Sequence, residues 1–349
     1  MNSEMGRRLG IVFLAIAMTA LSAPAMADSS YQVTKTVALG GPDRWDYVVC
    51  DPVMNRVYVA HGEVVTVVDG TSGAIIGTVE GMAGGTHGIA IVNVLGKGYT
   101  DDGKAGTAVA FDLRSLTVLK QIKVDPGADG IVYDAPSGHV LVIEGGSAKI
   151  AVIDPRTDAV VATVDGGGDL EYAVSGGNGK LYVNGAEKNE IVRVDTRSNL
   201  VDAHWPMAAC TKPHGLAIDR PHRRLFASCA NKIMVVLNAD SGEVLANVPI
   251  GDGTDFAEFD DKRGLAFSSN RDGTLSIVAE QSPSSFVAQP AVATEFGART
   301  MALNPLTGRL YLVTADFTVN DAVPATDPRH RYSVKPGTTR LLFLDPATP

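Results

Sequence analysis

Lys149-Ile150-Ala151-Val152-Ile153-Asp154 is a short run of β-forming residues that ends in an aspartate and leads into a turn. The same pattern recurs along the chain, with good copies that end at Asp69, Asp112, Asp195 and Asp345 and degenerate copies that end at Asn238 and Ala279. The first four copies lie about 41 to 43 residues apart. Alternating apolar residues that close on a turn residue predict a β-strand, so the chain contains seven equivalent strands at a nearly constant period.

A second strand pattern precedes these runs, and it consists of a basic residue, alternating apolar residues and a polar turn. Clear copies are Arg56-Val57-Tyr58-Val59-Ala60-His61 and Arg224-Leu225-Phe226-Ala227-Ser228-Cys229. With one apolar strand upstream and one downstream, each unit holds four short strands. Units of this kind that repeat at about forty residues are typical of propeller blades, which bury their faces only against neighbouring blades. The predicted fold class is therefore all-β, a seven-bladed β-propeller with four-stranded antiparallel blades.

The two ends of the chain predict how the ring closes. The last unit stops after the turn at 345–349 and lacks its fourth strand, whereas residues 31–38 form a strand that belongs to no complete unit. Joined end to end, the two segments read like the internal stretch at 153–166. We therefore expect the N-terminal strand to complete the C-terminal blade, which would also hide exposed sheet edges.

Two copies of the second strand, Lys180-Leu181-Tyr182-Val183-Asn184 and Arg309-Leu310-Tyr311-Leu312-Val313-Thr314, are similar to the signature strand of YVTN-type, or YncE-like, β-propeller repeat proteins. The turns that contain Val-Ile-Asp or Val-Val-Asp are similar to the strand that follows in that family. The resemblance covers essentially all of residues 28–349. It implies the propeller fold and often a bacterial envelope location, and it implies no particular activity.

The first residues have the features of a secretory signal peptide. Arg7 and Arg8 precede an uncharged apolar run over 9–21, and Ala25-Met26-Ala27 has the A-x-A form of a signal-peptidase site. We expect residues 1–27 to be removed, residues 28–349 to form one domain, and the mature protein to be periplasmic or secreted. No second apolar stretch has the length of a membrane span, so none is expected in the mature chain.

Charge narrows the range of partners. The chain has a formal net charge of −9, and −10 remains when Glu4, Arg7 and Arg8 leave with the leader. Acidity of this kind repels phosphate backbones, and the sequence has no basic run, so nucleic acid is not an expected partner. The expected partner is an unknown envelope protein or a small ligand, bound by a monomer.

The entries of the innermost strands carry the candidate site. Propeller ligands usually lie at the mouth of the central channel, where these strands begin. Counting back five residues from the end of each innermost strand gives one position per blade, namely Asp46, His87, Asp129, Leu170, His214, Asp255 and Arg299. Six of the seven are ionisable, and Glu171 adds a carboxylate beside Leu170. We take Asp46, Asp129, Glu171 and Asp255 as candidate ligand contacts.

This ring of side chains supports two kinds of function. Imidazoles and carboxylates suit Zn, Mn, Fe or Cu, so His87, His214, Asp129 and Asp255 predict a divalent metal ion, the one cofactor that the residues suggest. The favoured hypothesis is a binding or scaffold protein of the envelope that holds a ligand or metal at the channel mouth. The alternative is a lactonase-like hydrolase or a lyase, with His87, His214 and Arg299 as catalytic candidates. A purely structural role and an accessory role in periplasmic redox chemistry stay open.

Two further features bear on the same mouth. The ends of the second strands should reach it, which makes His61 and Glu144 candidate ligand contacts. The seventh blade carries an insertion over about 316–339 between its second and third strands, and ordered loops of that length commonly act as lids or partner-binding arms.

The cysteines allow two interpretations. Cys210 and Cys229 should emerge on one face of their blade, and an oxidising compartment favours a disulfide between them. The alternative joins both thiolates with His214 in a soft-metal site. Cys50 is predicted to be a buried free thiol that behaves as a small apolar residue.

Overall fold

The computed structural model describes residues 31–324 and 327–347, and it describes the backbone alone at residues 328 and 329. The signal peptide predicted over residues 1–27 lies outside the described residues. Within them, no helix is long and apolar enough to cross a membrane.

The described chain forms a ring of seven antiparallel sheets, which confirms the predicted fold class. In chain order the strands are β1 (Tyr31–Ala38), β2 (Val48–Asp51), β3 (Arg56–His61), β4 (Val64–Asp69), β5 (Ile75–Val79), β6 (Ile89–Val92), β7 (Lys97–Asp102), β8 (Thr107–Asp112), β9 (Val118–Lys123), β10 (Ala128–Asp134), β11 (His139–Glu144), β12 (Lys149–Asp154), β13 (Ala159–Asp165), β14 (Leu170–Ser175), β15 (Lys180–Gly185), β16 (Glu190–Asp195), β17 (Leu200–Pro206), β18 (Pro213–Asp219), β19 (Arg224–Cys229), β20 (Ile233–Asn238), β21 (Val244–Pro249), β22 (Thr254–Asp260), β23 (Leu265–Asn270), β24 (Thr274–Ser282), β25 (Ser285–Ala288), β26 (Val292–Ala293), β27 (Met301–Leu303), β28 (Leu310–Thr314), β29 (Phe317–Val319), β30 (Tyr332–Val334) and β31 (Arg340–Pro346).

Each of blades one to six begins with four strands that follow one another in the chain. The seventh blade takes its strands from both ends of the chain. Blades one to six start at β2, β6, β10, β14, β18 and β22, and the short strand β26 adds to blade six by pairing with β24. Blade seven has the order β27-β28-β31-β1. Its insertion is a small hairpin of β29 and β30 joined through the helix α1 (Pro328–Arg331).

The hydrophobic core is divided among the gaps between blades. The described residues form seven clusters of buried apolar side chains, and each cluster is built mainly from two neighbouring blades. One cluster, for example, joins Val92 and Tyr99 of blade two to Val140 and Val142 of blade three. A blade therefore has no core of its own, because each of its faces is covered only by the next blade.

The two repeated sequence patterns have local structural causes. The aspartate that ends the third strand of a blade caps the next turn: Asp69 Oδ1 accepts hydrogen bonds from the main-chain N–H groups of Thr71 and Ser72, at 3.0 and 2.6 Å. The tyrosine of the second strand ties one blade to the next, since the Tyr311 hydroxyl donates to the Gly70 carbonyl at 2.8 Å. The signature of the repeat is therefore a turn cap combined with a link between blades.

The N-terminal strand closes the ring as the sequence predicts. β1 pairs antiparallel with β31 from Tyr31 opposite Pro346 to Ala38 opposite Arg340. The Tyr31 side chain is buried and meets the Phe267 ring of blade six edge-on at 5.1 Å. This strand thus supplies the outer edge of blade seven and part of the core between blades six and seven.

We predict that deletion of residues 31–38 abolishes cooperative unfolding, because blade seven loses its outer strand and the core beside blade six is opened. The matched control is a circular permutant that joins residue 347 to residue 31 and opens the exposed turn after Asp261, since it retains every strand. Thermal melts followed by circular dichroism measure both proteins. A deletion variant that melts cooperatively at the wild-type temperature would contradict the closing role of β1.

The innermost strands surround a cavity of ≈ 410 Å³ that contains an acidic group. Glu258 of β22 lies on its wall with Cys50 and Arg220. Burial raises the pKa of Glu258 from 4.5 to about 7, and a main-chain hydrogen bond from Leu303 and the charge of Arg220 oppose this shift. The folded protein therefore holds this proton more tightly than the unfolded chain does.

This shift predicts the pH dependence of a Glu258→Gln variant. The stability that the glutamate contributes is present below pH 4.5 and is lost as the pH rises through about 7, because ionisation is easier in the unfolded chain. Glu258→Gln lacks this loss, so its advantage over wild type should grow by about 1 to 3 kcal/mol between pH 5 and pH 8. Urea unfolding at both pH values measures it, with the exposed Glu243→Gln as control. An equal difference at both pH values would disprove the assignment.

Candidate functional site

Four of the seven innermost strands begin with a β-bulge at the mouth of the channel. The pairing registers shift between residues 128 and 130 of β10, 170 and 173 of β14, 213 and 216 of β18, and 254 and 256 of β22. The residues inside these shifts include Asp129, Glu171, His214 and Asp255. A bulge turns the side chain of its extra residue away from the regular alternation, and here all four such side chains are ionisable.

The pairing register of β14 explains the one apolar member of the predicted ring. Leu170 pairs opposite Gly185, and its side chain is buried in the core between blades three and four. Glu171, one position later, has a partly exposed side chain near His214 instead. Counting back from the strand end missed by one residue in this blade, because Ser175 pairs opposite Leu181, the second residue of β15, whereas Asp134 at the end of β10 pairs opposite the first residue of β11.

His87 is held in a defined orientation by a buried carboxylate. Its Nδ1 lies 2.7 Å from Asp101 Oδ2, and Asp101 Oδ1 accepts the main-chain N–H groups of His87 and Gly88, both at 2.8 Å. The Asp101 side chain has no exposed surface. Nδ1 therefore carries the proton toward Asp101, and Nε2 presents its lone pair, which accepts a hydrogen bond from Arg44 Nη2 at 2.8 Å.

Two carboxylates come close to this imidazole. Asp46, His87 and Asp129 each offer one ligand atom, and these three atoms lie within 4.8 Å of one another. Burial and the neighbouring Asp129 and Asp255 charges raise the pKa of Asp46 to about 7. Burial also raises the pKa of Asp129 to about 6, aided by Asp101 and Asp255. Ionisation of both Asp46 and Asp129 is therefore unfavourable at this site, because the positive groups nearby do not fully offset burial and the neighbouring carboxylates.

The second predicted histidine belongs to a separate group on the ring. His214 Nδ1 lies 3.6 Å from Asp255 Oδ1 and 3.8 Å from Glu171 Oε1, and Arg299 Nε lies 3.2 Å from Asp255 Oδ2. Burial raises the pKa of Glu171 to about 8, with further contributions from Asp129 and Asp255. Burial lowers the pKa of His214 against the opposing charge of Asp255. At neutral pH this half of the ring can therefore donate as well as accept protons.

The two candidates at the ends of second strands have main-chain partners. His61 Nε2 lies 2.7 Å from the Pro42 carbonyl oxygen, and Nδ1 lies 3.0 Å from Thr66 Oγ1. Glu144 Oε1 accepts the main-chain N–H of Asp125 at 2.8 Å. Both side chains are buried, so in this structure they shape the loops beside the mouth.

Sequence reasoning missed Asp101 and Arg44. The sequence did contain a signal for Asp101. The pairing registers make it equivalent to Ile143 of blade three, so a charged residue occupies a position of the second strand where an apolar residue is expected. Arg44 had none, since it lies before β2 in blade one and contacts His87 of blade two. Only the packing of two blades brings that guanidinium to the imidazole.

The structure joins Cys210 to Cys229 in a disulfide, with 5.5 Å between their Cα atoms. Because Pro213 pairs opposite Cys229, the bond anchors the segment that leads directly into His214. Both sulfurs are part of this bond, so neither is available as a thiolate ligand for the soft-metal site considered beside His214. Cys50 is free and half-buried, and burial raises the pKa of its thiol to about 12.

The insertion of blade seven folds back beside the mouth. The main-chain N–H of Gly337 donates to Asp43 Oδ1 at 2.7 Å, and Phe317 packs edge-on against Trp45 at 6.2 Å. His330 in the insertion is exposed, with Nδ1 2.8 Å from Asp327 Oδ2. The position of this segment therefore depends on residues that directly precede β2.

Comparison with known proteins supports the fold and leaves the family open. No protein-family model matches the sequence, and no curated protein matches it. A chain of a mitotic checkpoint complex is similar, with a TM-score of 0.72 and 16% identity over 97% of this chain and 100% of that chain. The WD40 repeats of RRP9 give 0.75 and 8% over 90% and 100%. Kuenenia stuttgartiensis hydrazine synthase gives 0.68 and 15% over 79% and 93%. At such identities the likeness shows the propeller fold alone.

Proposed function

We propose that this protein is an exported binding protein of the bacterial envelope that holds a divalent cation at the channel mouth, with His87, Asp46 and Asp129 as its ligands. The observation that carries the proposal is the convergence of one ligand atom from each of these residues within 4.8 Å. Membership of the YVTN-type family would agree with this role, and it stays a prediction.

The chemistry of this group suits a transition-metal cation. One imidazole nitrogen and two carboxylates are the ligand types that Zn²⁺ and Mn²⁺ accept, with room left for water or an exogenous ligand. Asp101 supplies the outer contact that metal-binding histidines usually make, because it fixes the tautomer and orientation of the ring. A bound cation would also compensate the negative charge that raises the pKa of Asp46 and Asp129.

Arg44 competes with the cation in this arrangement. Its guanidinium donates to His87 Nε2, the atom that would bind the metal. Arg44 is exposed, so its long side chain can leave the imidazole without opening the fold. We therefore infer that cation binding displaces Arg44 from His87, and that Arg44 serves as the counter-charge of the group while no cation is bound.

Export is supported by two observations. The leader has the pattern of a cleavable signal peptide, and the Cys210–Cys229 disulfide suits an oxidising compartment. N-terminal sequencing of protein purified from the periplasm or culture medium of a bacterial host should give Asp28 as the first residue. Recovery of the full chain with Met1 in the cytoplasm would disprove export.

Calorimetric titration of the purified protein with Zn²⁺ and Mn²⁺ tests the cation site. We expect one site that His87→Ala removes and that Asp129→Asn weakens at least about tenfold. Asp101→Asn should weaken it by about 10 to 100-fold, since the supporting contact is lost. Arg44→Gln should instead strengthen binding about fivefold, because a competing donor and a positive charge near the ligands both disappear.

A second cluster provides the matched control. Asp219, His222 and Glu280 also bring three ligand atoms within 4.8 Å, and His222 Nδ1 lies 2.7 Å from Asp219 Oδ2. His222→Ala should leave the affinity at the mouth unchanged. Loss of binding in His222→Ala with normal binding in His87→Ala would refute the proposed site.

The same titrated samples address the enzymatic alternative. The observation that favours it is the pairing of the His87 imidazole with buried Asp101, which suits a general base. Turnover of a lactone panel that disappears in His87→Ala would make the protein a hydrolase. Absence of turnover in the cation-loaded protein removes this candidate and leaves binding as the function.

A further inference from the structure

A separate cavity lies beside the mouth, beneath the inserted hairpin of blade seven. Its volume is ≈ 320 Å³, which is near the lower end of the range for small-molecule sites. Its walls include Trp45, Phe296, Phe317, Tyr332, Arg271 and Arg299. None of these six residues is a ligand of the proposed cation site, so the cavity is a distinct feature of the protein.

Four aromatic side chains line this cavity, and the hairpin supplies two of them, Phe317 and Tyr332. The Phe296 ring lies 4.7 Å from Tyr332 of β30 and 5.1 Å from Phe317 of β29, measured between centroids. Trp45 extends the wall by its contact with Phe317. The rings are tilted or perpendicular to one another, with interplanar angles of 47 to 87°, so they form an apolar corner that can receive another ring by face or edge contact.

The hairpin approaches the propeller closely at one glycine. Gly297 has φ +88°, and a Cβ at this position would lie 2.5 Å from a ring atom of Phe317. A side chain here would push the hairpin away and widen the cavity. The absence of a side chain at residue 297 therefore keeps the aromatic wall closed against the ring of blades.

Three guanidinium groups also line the cavity. Arg44, Arg271 and Arg299 line it in a chain whose net charge is −9. Arg299 directs Nε toward Asp255, while its Nη groups make no hydrogen bond within the described part of the chain. The acidic residue that lines the cavity, Asp43, accepts the Gly337 N–H. A guanidinium group can still donate to an anion through its outer N–H groups, and its planar geometry suits a carboxylate.

The apolar wall contains a polar group, the indole N–H of Trp45. The indole is only 8% exposed, and its N–H has no hydrogen-bond partner in residues 31–324 or 327–347. A buried donor without an acceptor is unfavourable, so a native structure that contains one commonly has a missing partner such as a ligand or water.

We propose that the cavity beneath the hairpin binds a small planar organic carboxylate, whose ring packs on Phe296, Phe317 and Tyr332 and whose carboxylate group pairs with Arg271 and Arg299. The aromatic wall accounts for the planar ring of the ligand, and the guanidinium groups account for its carboxylate group. An uncharged ring lacks the ionic contacts, and a compact inorganic anion leaves the aromatic wall uncovered. The ligand class is therefore defined by the two halves of the cavity together.

The test uses benzoate as the probe and Trp45 fluorescence as the signal. The chain has two tryptophans, so Trp205→Phe leaves Trp45 as the only one. Titration of this full-length variant with benzoate should change the fluorescence with saturation, and calorimetry should give the same affinity. Benzamide and acetate should each bind at least about tenfold more weakly, since each lacks one half of the recognition. Equal binding of benzamide would overturn the carboxylate assignment.

Substitutions in the cavity identify the residues. Arg271→Gln and Arg299→Gln should each weaken benzoate binding by about tenfold or more, while Arg114→Gln, an exposed arginine in blade two, should leave it unchanged. Phe296→Ala should also weaken binding, and its circular dichroism spectrum and melting temperature establish that it is folded. Unchanged affinity in a folded Phe296→Ala together with both arginine variants would overturn the proposal.

One further variant separates this cavity from the cation site. His87→Ala should lose Zn²⁺ binding and keep benzoate binding, because His87 does not line the cavity beneath the hairpin. Loss of zinc binding alone therefore leaves the carboxylate proposal standing. Absence of benzoate saturation in a protein that still binds zinc refutes the carboxylate proposal and leaves the cation site intact.

Discussion

The pairing of β1 with β31 is the constraint on which the rest of the structure depends. Every cluster of the core lies between two blades, so no blade is complete until both neighbours are in place. The chain reaches that state only when residues from its two ends share one sheet. The mouth is a product of the same closure, because its residues come from all seven blades and their distances depend on the angle between neighbours. Closure therefore stabilises the fold and positions the candidate site together.

Main-chain irregularity, rather than loop insertion, produces the charged ring. Bulges at the entries of β10, β14, β18 and β22 release Asp129, Glu171, His214 and Asp255 from the regular alternation of the strands. A bulge costs part of the hydrogen-bond ladder, and its repetition in four neighbouring blades concentrates that cost at one end of the channel. The opposite ends of the same strands carry residues that cap turns, as Asp260 does for Lys262. The two faces of the ring have therefore diverged in chemistry although they derive from one repeat.

Charge is distributed unevenly around the mouth, and this divides it into regions with different chemistry. Half-buried carboxylates crowd around His87, where the loss of solvent and mutual repulsion raise the pKa of Asp46 and Asp129. Guanidinium groups gather beneath the inserted hairpin, a short distance along the rim. Arg44 lies between the two regions, because it donates to His87 and also lines the cavity beneath the hairpin. The two proposed ligands, a cation and an organic anion, correspond to these two regions.

The sequence by itself determined the period, the strand types and the closing strand, because these follow from local alternation and turn residues that each repeat carries. It also predicted where the innermost strands end. For β27 the predicted end is Asn304, and the structure ends this strand one residue earlier, at Leu303. The sequence also identified six ionisable positions at the mouth. Only the tertiary structure decided that Glu171 replaces Leu170 on the ring, that Asp101 and Arg44 hold His87 from two sides, and that the insertion packs on Trp45. These features depend on the pairing register of one blade and on contacts between blades, and neither is encoded in the pattern of any single repeat.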